Sequence, residues 1–135
     1  RIIVIDHPSA GYLKYLKKLS DVIKNGNYSV VHSQTQFNSG INLLVAKGKG
    51  VPIRIAHSHT TAHENKVSIQ QIIYEKLMRV LIGRTATDLC ACGIDAGKWE
   101  FNNRPFQVIN NGINTTFIGF IIEADEKYFI LDYPY

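Results

Sequence analysis

Length, composition and charge already exclude several classes of protein. The chain has 135 residues, 45% of them hydrophobic and 10% aromatic, which suffices for the core of one domain and argues against a disordered or fibrous protein. Its formal net charge is +4, and its densest basic run, Lys14, Lys17 and Lys18, is modest, so we expect no nucleic-acid partner. No apolar run reaches the roughly 18 residues that a membrane span needs.

Five short runs rich in β-branched residues predict buried strands. In chain order they cover residues 1–6, 28–33, 52–59, 87–92 and 106–110. The only cysteines, Cys90 and Cys92, stand two residues apart on the fourth run, where they share a face but cannot easily bridge. We therefore expect free, buried thiols and a reducing, cytoplasmic compartment.

Segments with helical spacing separate these runs. The helix predicted over residues 12–24 turns its lysines away from an apolar stripe, and a second segment, 38–50, begins with capping residues and stops at glycines. A third helix opens with Ser68 and Gln71 at capping-box spacing and is expected to stop at Gly83, and a shorter helix follows the fourth strand. The stripe of the first helix comprises Leu13, Leu16, Leu19 and Ile23. That of the third comprises Ile69, Ile72, Ile73, Leu77, Val80 and Leu81.

Strands of near-continuous apolar character that alternate with helices predict a parallel sheet covered on both faces. With right-handed crossovers, this is an α/β, Rossmann-like three-layer sandwich with a mostly parallel sheet. We expect this domain over residues 1–115, incomplete at its start, because the chain opens on Arg1 and not on a methionine. Residues 116–135 then form a divergent tail, which is either an added edge strand or the product of a truncation.

Polar residues gather where the predicted strands end. Ligands of such sheets bind outside the carboxyl ends of the strands, whereas the opposite ends here carry lysine, glycine and proline. The pattern predicts one crevice of hydrogen-bonding groups with little net charge, suited to a hydroxyl-rich ligand; for any single residue, a strand-end cap is the simpler interpretation. His57 and His59 stand at this edge. The candidate substrate-binding residues are Ser33, Gln34, Thr35, Thr60, Asn111 and Gly112.

Other chemistries are less well supported by the sequence. His57 and His59 share a strand face and could hold zinc with a third ligand, but a closed site needs four ligands at recognised spacing. No glycine-flanked serine elbow occurs, and Gly40 alone at a predicted helix start is a weak phosphate cradle. We therefore expect neither a metal nor a cofactor. The lysine-faced helix, 12–24, could touch anionic lipid, although a solvated face is the simpler interpretation.

Four stretches resemble the amino-terminal domain of the family-four retaining glycosyltransferases of the GT-B fold, most closely the bacterial capsular and exopolysaccharide enzymes. The stretches are 27–61, 74–101, 104–117 and, more loosely, the opening helix. The resemblance implies transfer of a sugar from a nucleotide-sugar donor to a glycan or lipid-linked acceptor, with retention of configuration. It also implies that the acceptor docks on this half of the fold and the donor on a second Rossmann domain.

The resemblance also implies roles for individual residues. It makes His59 the first candidate and His57 the second for a catalytic histidine, which hydrogen-bonds in the cleft as charge develops during transfer. Gly112 would permit a tight turn before the interdomain linker. The chain departs from the family pattern at Gln34, where histidine is common, and at Asn114, where aspartate is common. The glycine-rich opening loop and the paired glutamates that hold the donor have no counterpart.

Two further interpretations remain open beside an enzyme fragment that is inactive alone. The chain could be a non-catalytic Rossmann-like module that binds glycan or acts as a partner subunit. More weakly, it could be a small metal hydrolase built on His57 and His59. For the glycosyltransferase, we expect a cytoplasmic location with peripheral contact at the inner face of the membrane.

Overall fold

The computed structural model describes residues 3–5, 7–61 and 67–110, together with the backbone of 128–131. The helices are α1 (Tyr12–Gly26), α2 (Ser39–Gly48), α3 (Ile69–Thr85) and α4 (Ile94–Phe101), with short 3-10 helices at Pro8–Ala10 and Gln36–Asn38. The strands are β1 (Val30–Ser33), β2 (Ile53–Ser58), β3 (Asp88–Ala91), β4 (Gln107–Val108) and β5 (Tyr128–Leu131).

The described strands form one parallel sheet in the order β4-β3-β2-β1-β5. Ser33 of β1 aligns with Ala56 of β2, and Ser58 of β2 aligns with Ala91 of β3, so the carboxyl ends of these strands lie along one edge. The alternation of parallel strands and helices confirms the predicted α/β, Rossmann-like fold.

The predicted strand over residues 1–6 is wrong for its described part. Residues 3–5 belong to no strand. Strand β1 pairs with β2 on one side and with β5 on the other, so neither of its edges remains for an earlier segment. The edge position beside β1 is occupied by β5, which lies in the tail that follows residue 115.

The core lies between the sheet and the helices. Val31, Ala56 and Ala91 alternate along their strands with outward positions and are fully buried on the helix-covered face. Helix α1 buries its face through side chains that join this cluster. These side chains are Tyr15, Leu19 and Ile23.

The predicted stripe of α1 is wrong at its first position. Leu13 is 83% exposed, and Tyr15 is buried in its place. Helix α1 begins at Tyr12, so Leu13 lies in its first turn, while the Tyr15 hydroxyl is directed inwards and donates to Oδ1 of Asn42 on α2 at 2.7 Å. A buried hydroxyl with a partner can therefore replace an aliphatic side chain at the core face.

The predicted stripe of α3 faces solvent and not the core. Among its members, Leu81 is half-buried and the other five are exposed. The buried face of α3 consists of Glu75, Met78, Ile82 and Thr85. This face packs on α2 at Gly40, where an added Cβ would lie 2.8 Å from the carbonyl oxygen of Met78. The two backbones are too close for the large aliphatic side chains to lie between them.

Gly83 does not end α3, which continues to Thr85. A side chain at Gly83 would collide with the guanidinium of Arg104, which lies across the helix at this point. The NH1 group of Arg104 donates to the carbonyl oxygen of Arg79 at 2.7 Å. This glycine therefore allows a close approach of another side chain and is not a helix stop.

Candidate functional site

Three histidine side chains lie next to one another at the carboxyl end of the sheet. Nε2 of His32, on β1, lies 3.1 Å from Nδ1 of His57, on β2. The two rings are stacked, with 3° between their planes and 5.2 Å between their centroids. The ring of His59 follows, 4.2 Å from that of His57 and tilted by 32°. We call these three residues the histidine row.

Strand geometry produces the row. Positions 57 and 59 are directed to one face, while Ser58 between them is directed to the helices, where its hydroxyl donates to the carbonyl oxygen of Ala96 at 2.9 Å. The parallel register aligns His32 with Ile55, two residues before His57. Strand pairing therefore brings His32 to the other two histidines.

The surroundings keep His57 neutral. Its side chain is 6% exposed, and burial, followed by repulsion from His59 and His32, lowers its pKa from 6.5 to about 4. A neutral imidazole donates from one nitrogen and accepts at the other, so the contact with His32 couples the tautomers of the two rings. Nε2 of His57 and Nε2 of His59 are buried and have no hydrogen-bond partner among the described residues. The described residues thus leave the hydrogen-bonding capacity of these two imidazole nitrogens unused.

Polar side chains from two neighbouring strand ends accompany the row. Gln34 and Thr60 are half-buried, and both follow strands that end at this edge. Nε2 of Gln36 donates to Oγ1 of Thr60 at 2.7 Å, which joins the segment after β1 to the segment after β2. The structure therefore brings these two predicted candidates to the same edge as His59.

Ser33 and Thr35 lie inside a buried hydroxyl–amide network. Their side-chain oxygens are 3.0 Å apart, and the Ser33 hydroxyl lies 3.0 Å from that of Ser39. Nδ2 of Asn42 donates to the Thr35 hydroxyl at 2.9 Å, and Oδ1 of the same residue accepts from Tyr15. The network ties β1 to α1 and α2. These two candidates are therefore buried beneath the sheet edge and satisfied by internal partners.

The other candidates fall elsewhere. Asn111 and Gly112, which the sequence also assigns to the site, lie outside the described residues. Cys90 and Cys92 are both free, the first buried and the second half-buried, and burial raises the pKa of Cys90. Within the described part of the chain, no set of three or more histidine, cysteine or carboxylate side chains is arranged to hold a metal ion.

Sequence reasoning missed a buried carboxyl group, Glu100 of α4. It is fully buried, and burial raises its pKa from 4.5 to about 7, against a smaller opposing effect of the Arg79 charge. Because the Ser58 hydroxyl donates to Ala96, it is not available to Glu100, whose carboxyl oxygens have no hydrogen-bond partner among the described residues. Sequence reasoning also missed His32. The available signal was that His32 lies between Val31 and Ser33 on a predicted strand, so that it is directed to the face opposite these two residues.

Taken together, the fold and the polar edge define a Rossmann-like α/β protein whose candidate ligand site lies at the carboxyl ends of its strands. The chain is 35% identical over 116 residues to the protein named "Putative glycosyltransferase EpsF" from Bacillus subtilis (strain 168). The similarity covers 79% of this chain and 30% of that protein, and it supports a glycosyltransferase relationship. No protein-family model and no solved structure matches the chain. Among the described helices, none has the length and apolar character to cross a bilayer.

Proposed function

We propose that the chain is the acceptor-side half of a family-four retaining glycosyltransferase of the GT-B fold. Such an enzyme moves a sugar from a nucleotide-sugar donor to a glycan or lipid-linked acceptor, here in the synthesis of a capsular or exopolysaccharide. The observation that carries the proposal is the 35% identity with a protein named as a glycosyltransferase. The chain spans 30% of that relative, so the donor-binding domain is assigned to the remainder of a longer protein.

In this proposal, His59 hydrogen-bonds to the sugar that is transferred, and His57 and His32 position it. Support comes from the unpartnered Nε2 of His59 and from the stack that runs back to β1. A neutral imidazole at His57 adds no fixed charge to the site. The hydrogen bond from the row to the sugar can therefore strengthen when charge develops during transfer. A preorganised donor of this kind contributes about 10²–10³ in rate where it has been measured.

The rim residues complete the acceptor site in the proposal. Gln34 and Thr60 offer amide and hydroxyl groups to acceptor hydroxyls, and the resemblance assigns Asn111 and Gly112 to the stretch that leads into the interdomain linker. Ser33 and Thr35 act from below by fixing the end of β1 against α2, which is supported by their internal hydrogen bonds. The enzyme would work in the cytoplasm with peripheral contact at the membrane.

The decisive experiment uses the longer protein that includes the donor half. We expect His59→Ala to lower sugar transfer by about 10²-fold or more while the far-UV circular dichroism is unchanged, because the residue follows the end of a strand and lies outside the core. His7→Ala is the matched control, since His7 is exposed and contacts Ser9 of a separate segment. Wild-type transfer by the His59 variant would refute the assignment.

A second measurement tests whether sugar transfer requires the donor-binding domain as well as this chain. The 135-residue chain alone, mixed with UDP-, GDP- and dTDP-sugars and a lipid-linked acceptor, is expected to transfer no sugar. Turnover by this chain would show that no second domain is needed. Acceptor binding without transfer, even by the longer protein, would instead favour the non-catalytic binding module.

A further inference from the structure

A cavity of about 690 Å³ lies between α3 and the end of α4, away from the histidine row and its polar rim. Its described lining combines three cationic, two amide and two apolar side chains and contains no carboxylate. The cations are Lys76, Arg79 and Arg104, and the amides are Asn102 and Asn103. A concave site of this volume, in which a few polar groups converge, has the size that holds a small molecule.

Arg104 is held in place at this cavity. Its guanidinium occupies the space that a side chain at Gly83 would fill, and its NH1 group donates to the carbonyl oxygen of Arg79 at 2.7 Å. This carbonyl lies inside α3, where the N–H group four residues later already donates to it. The helix therefore does not need the hydrogen bond from Arg104, and the effect of that bond is to fix the guanidinium beside the cavity. A guanidinium has five N–H donors, so others remain for a ligand.

The cations of the cavity differ in what already balances their charge. Arg79 has internal partners, because its NH2 group lies 4.0 Å from Oε2 of Glu75 and donates to the carbonyl oxygen of Trp99 at 2.9 Å. Within the described part of the chain, Lys76 and Arg104 have no comparable carboxylate partner. Two like charges at one cavity repel each other, and an anion between them would replace that repulsion by attraction.

A second cavity shows the simpler role that cations have at helix ends. It measures about 320 Å³ and adjoins the residues that precede β1 and β2. Lys24 lies in the last turn of α1, and Lys49 directly follows α2. Each lysine therefore offsets the partial negative charge at the carboxyl end of its own helix, and no ligand is needed to explain it. These two lysines provide matched controls.

Helix ends do not explain the cations of the larger cavity. At the end of α4, the Trp99 carbonyl accepts from Arg79, and the Phe101 carbonyl accepts from the backbone N–H group of Arg104 at 3.4 Å. Lys76 and the guanidinium of Arg104 make neither of these contacts. Their charges are thus available at the cavity.

We propose that the cavity between α3 and α4 binds a small soluble ligand through a diphosphate group. The guanidinium of Arg104 has the planar fork that pairs with phosphate oxygens, and Lys76 adds a point charge from α3. Two available cations match the charge of a diphosphate better than that of a single phosphate. The amides of Asn102 and Asn103 donate to the remaining oxygens. The inference does not rest on sugar transfer, because binding is measured without a sugar donor or an acceptor.

The test is isothermal titration calorimetry of the 135-residue chain with inorganic diphosphate in metal-free buffer. We expect saturable binding that weakens as salt rises and is at least about tenfold tighter than that of inorganic phosphate or sulfate. Equal affinity for the three anions would mean an adventitious ion only, and a lack of saturable binding would exclude the site. Displacement of diphosphate by phosphatidylglycerol vesicles would assign the cavity to a lipid headgroup. Each of these three results overturns the proposal.

Variants locate the site. Lys76→Glu and Arg104→Gln should each lower the affinity for diphosphate by about tenfold, because each removes a charge-assisted hydrogen bond. Arg104→Lys keeps the charge without the fork and should lose less. Gly83→Ala, which displaces the Arg104 guanidinium, should also lower the affinity. Lys76 is exposed, so its variant tests the site without a change in the core.

The controls are Lys24→Glu and Lys49→Glu, which reverse exposed lysines at the second cavity and should leave the affinity at the wild-type level. Circular dichroism verifies that each variant is folded. If the control variants lose as much affinity as Lys76→Glu, diphosphate responds only to the net charge of the chain. The proposed site is then wrong.

Discussion

Two buried groups close to the end of β2 should give the stability of this chain opposite dependences on pH. His57 has its pKa lowered from 6.5 to about 4, chiefly by burial, with repulsion from His59 and His32. Glu100 has its pKa raised from 4.5 to about 7, also by burial. Over part of the pH range, each group is therefore neutral in the folded chain and charged in the unfolded chain.

The signs follow from which state binds the proton. Between about pH 4 and 6.5, unfolded His57 is protonated and native His57 is not, so acidification destabilises the fold. Between 4.5 and about 7, native Glu100 is protonated and the unfolded group is not, so acidification stabilises the fold. At 1.36 kcal/mol per pH unit, each group changes the free energy of unfolding by about 2.5 kcal/mol between pH 7 and 4.5. The two contributions nearly cancel in the wild type.

Single substitutions should separate them. As the pH falls from 7 to 4.5, the free energy of unfolding of His57→Gln should rise by about 2.5 kcal/mol relative to that of the wild type. That of Glu100→Gln should fall by about as much relative to the wild type. Urea unfolding, followed by circular dichroism, gives the free energy at each pH. The matched controls are His7→Gln and Asp95→Asn, which remove exposed groups and should follow the wild-type curve within about 0.5 kcal/mol.

The reasoning fails if the curves of the wild type and the two variants are parallel. Parallel curves would mean that the two groups titrate alike in the folded and unfolded chain, and hence that burial does not hold them neutral. If the His57→Gln curve changes and the Glu100→Gln curve does not, the account of the histidine row stands and that of the carboxyl group is wrong. The slope of each curve is decisive, because a substitution can shift the whole curve through packing alone.

Two packing predictions complete the set. Gly40→Ala should lower the free energy of unfolding in urea by about 1–3 kcal/mol, because the methyl group would meet the α3 backbone. Gly48→Ala, in the same helix, places its methyl group in open space and should leave the free energy of unfolding unchanged or raise it by up to about 1 kcal/mol. Equal effects of the two substitutions would refute the close-packing argument. Tyr15→Phe should lower the free energy of unfolding by about 1–2 kcal/mol, because the hydrogen bond to buried Asn42 is lost. Tyr12→Phe removes an exposed hydrogen bond and should lower it by only a few tenths of a kcal/mol. A larger loss for the Tyr12 variant would contradict this prediction.

The sheet could be predicted from the sequence because its signal is local. The runs at 28–33, 52–59 and 87–92 are apolar and β-branched and alternate with helical segments, and each contains a strand. A helix between two such runs dictates a parallel pairing, so the common edge of their carboxyl ends follows. His57 and His59 could be assigned to that edge for the same reason.

The orientation of α3 could not be predicted, because apolar periodicity identifies a face without identifying what covers it. The stripe of α3 has the spacing of a core face, yet the helix turns Met78 and Ile82 inwards. The cause is Gly40, which lets two helix backbones approach and selects the side of α3 that fits the narrow space. That constraint joins residues far apart in sequence and leaves no local pattern.

The histidine row shows the same limit at the site. His32 lies 25 residues before its partner, and only the β1–β2 register brings the two rings together. Strand alternation also explains why the site and its support differ in chemistry along β2. His57 and His59 are directed to one face, where burial keeps the imidazole of His57 neutral, while Ser58 is directed to α4, where burial raises the pKa of the Glu100 carboxyl group to about 7. The His57 imidazole therefore adds no fixed charge to the end of β2, which suits an uncharged, hydroxyl-rich ligand better than an anion, and the cationic side chains of the described residues that converge in a cavity lie elsewhere, beside α3.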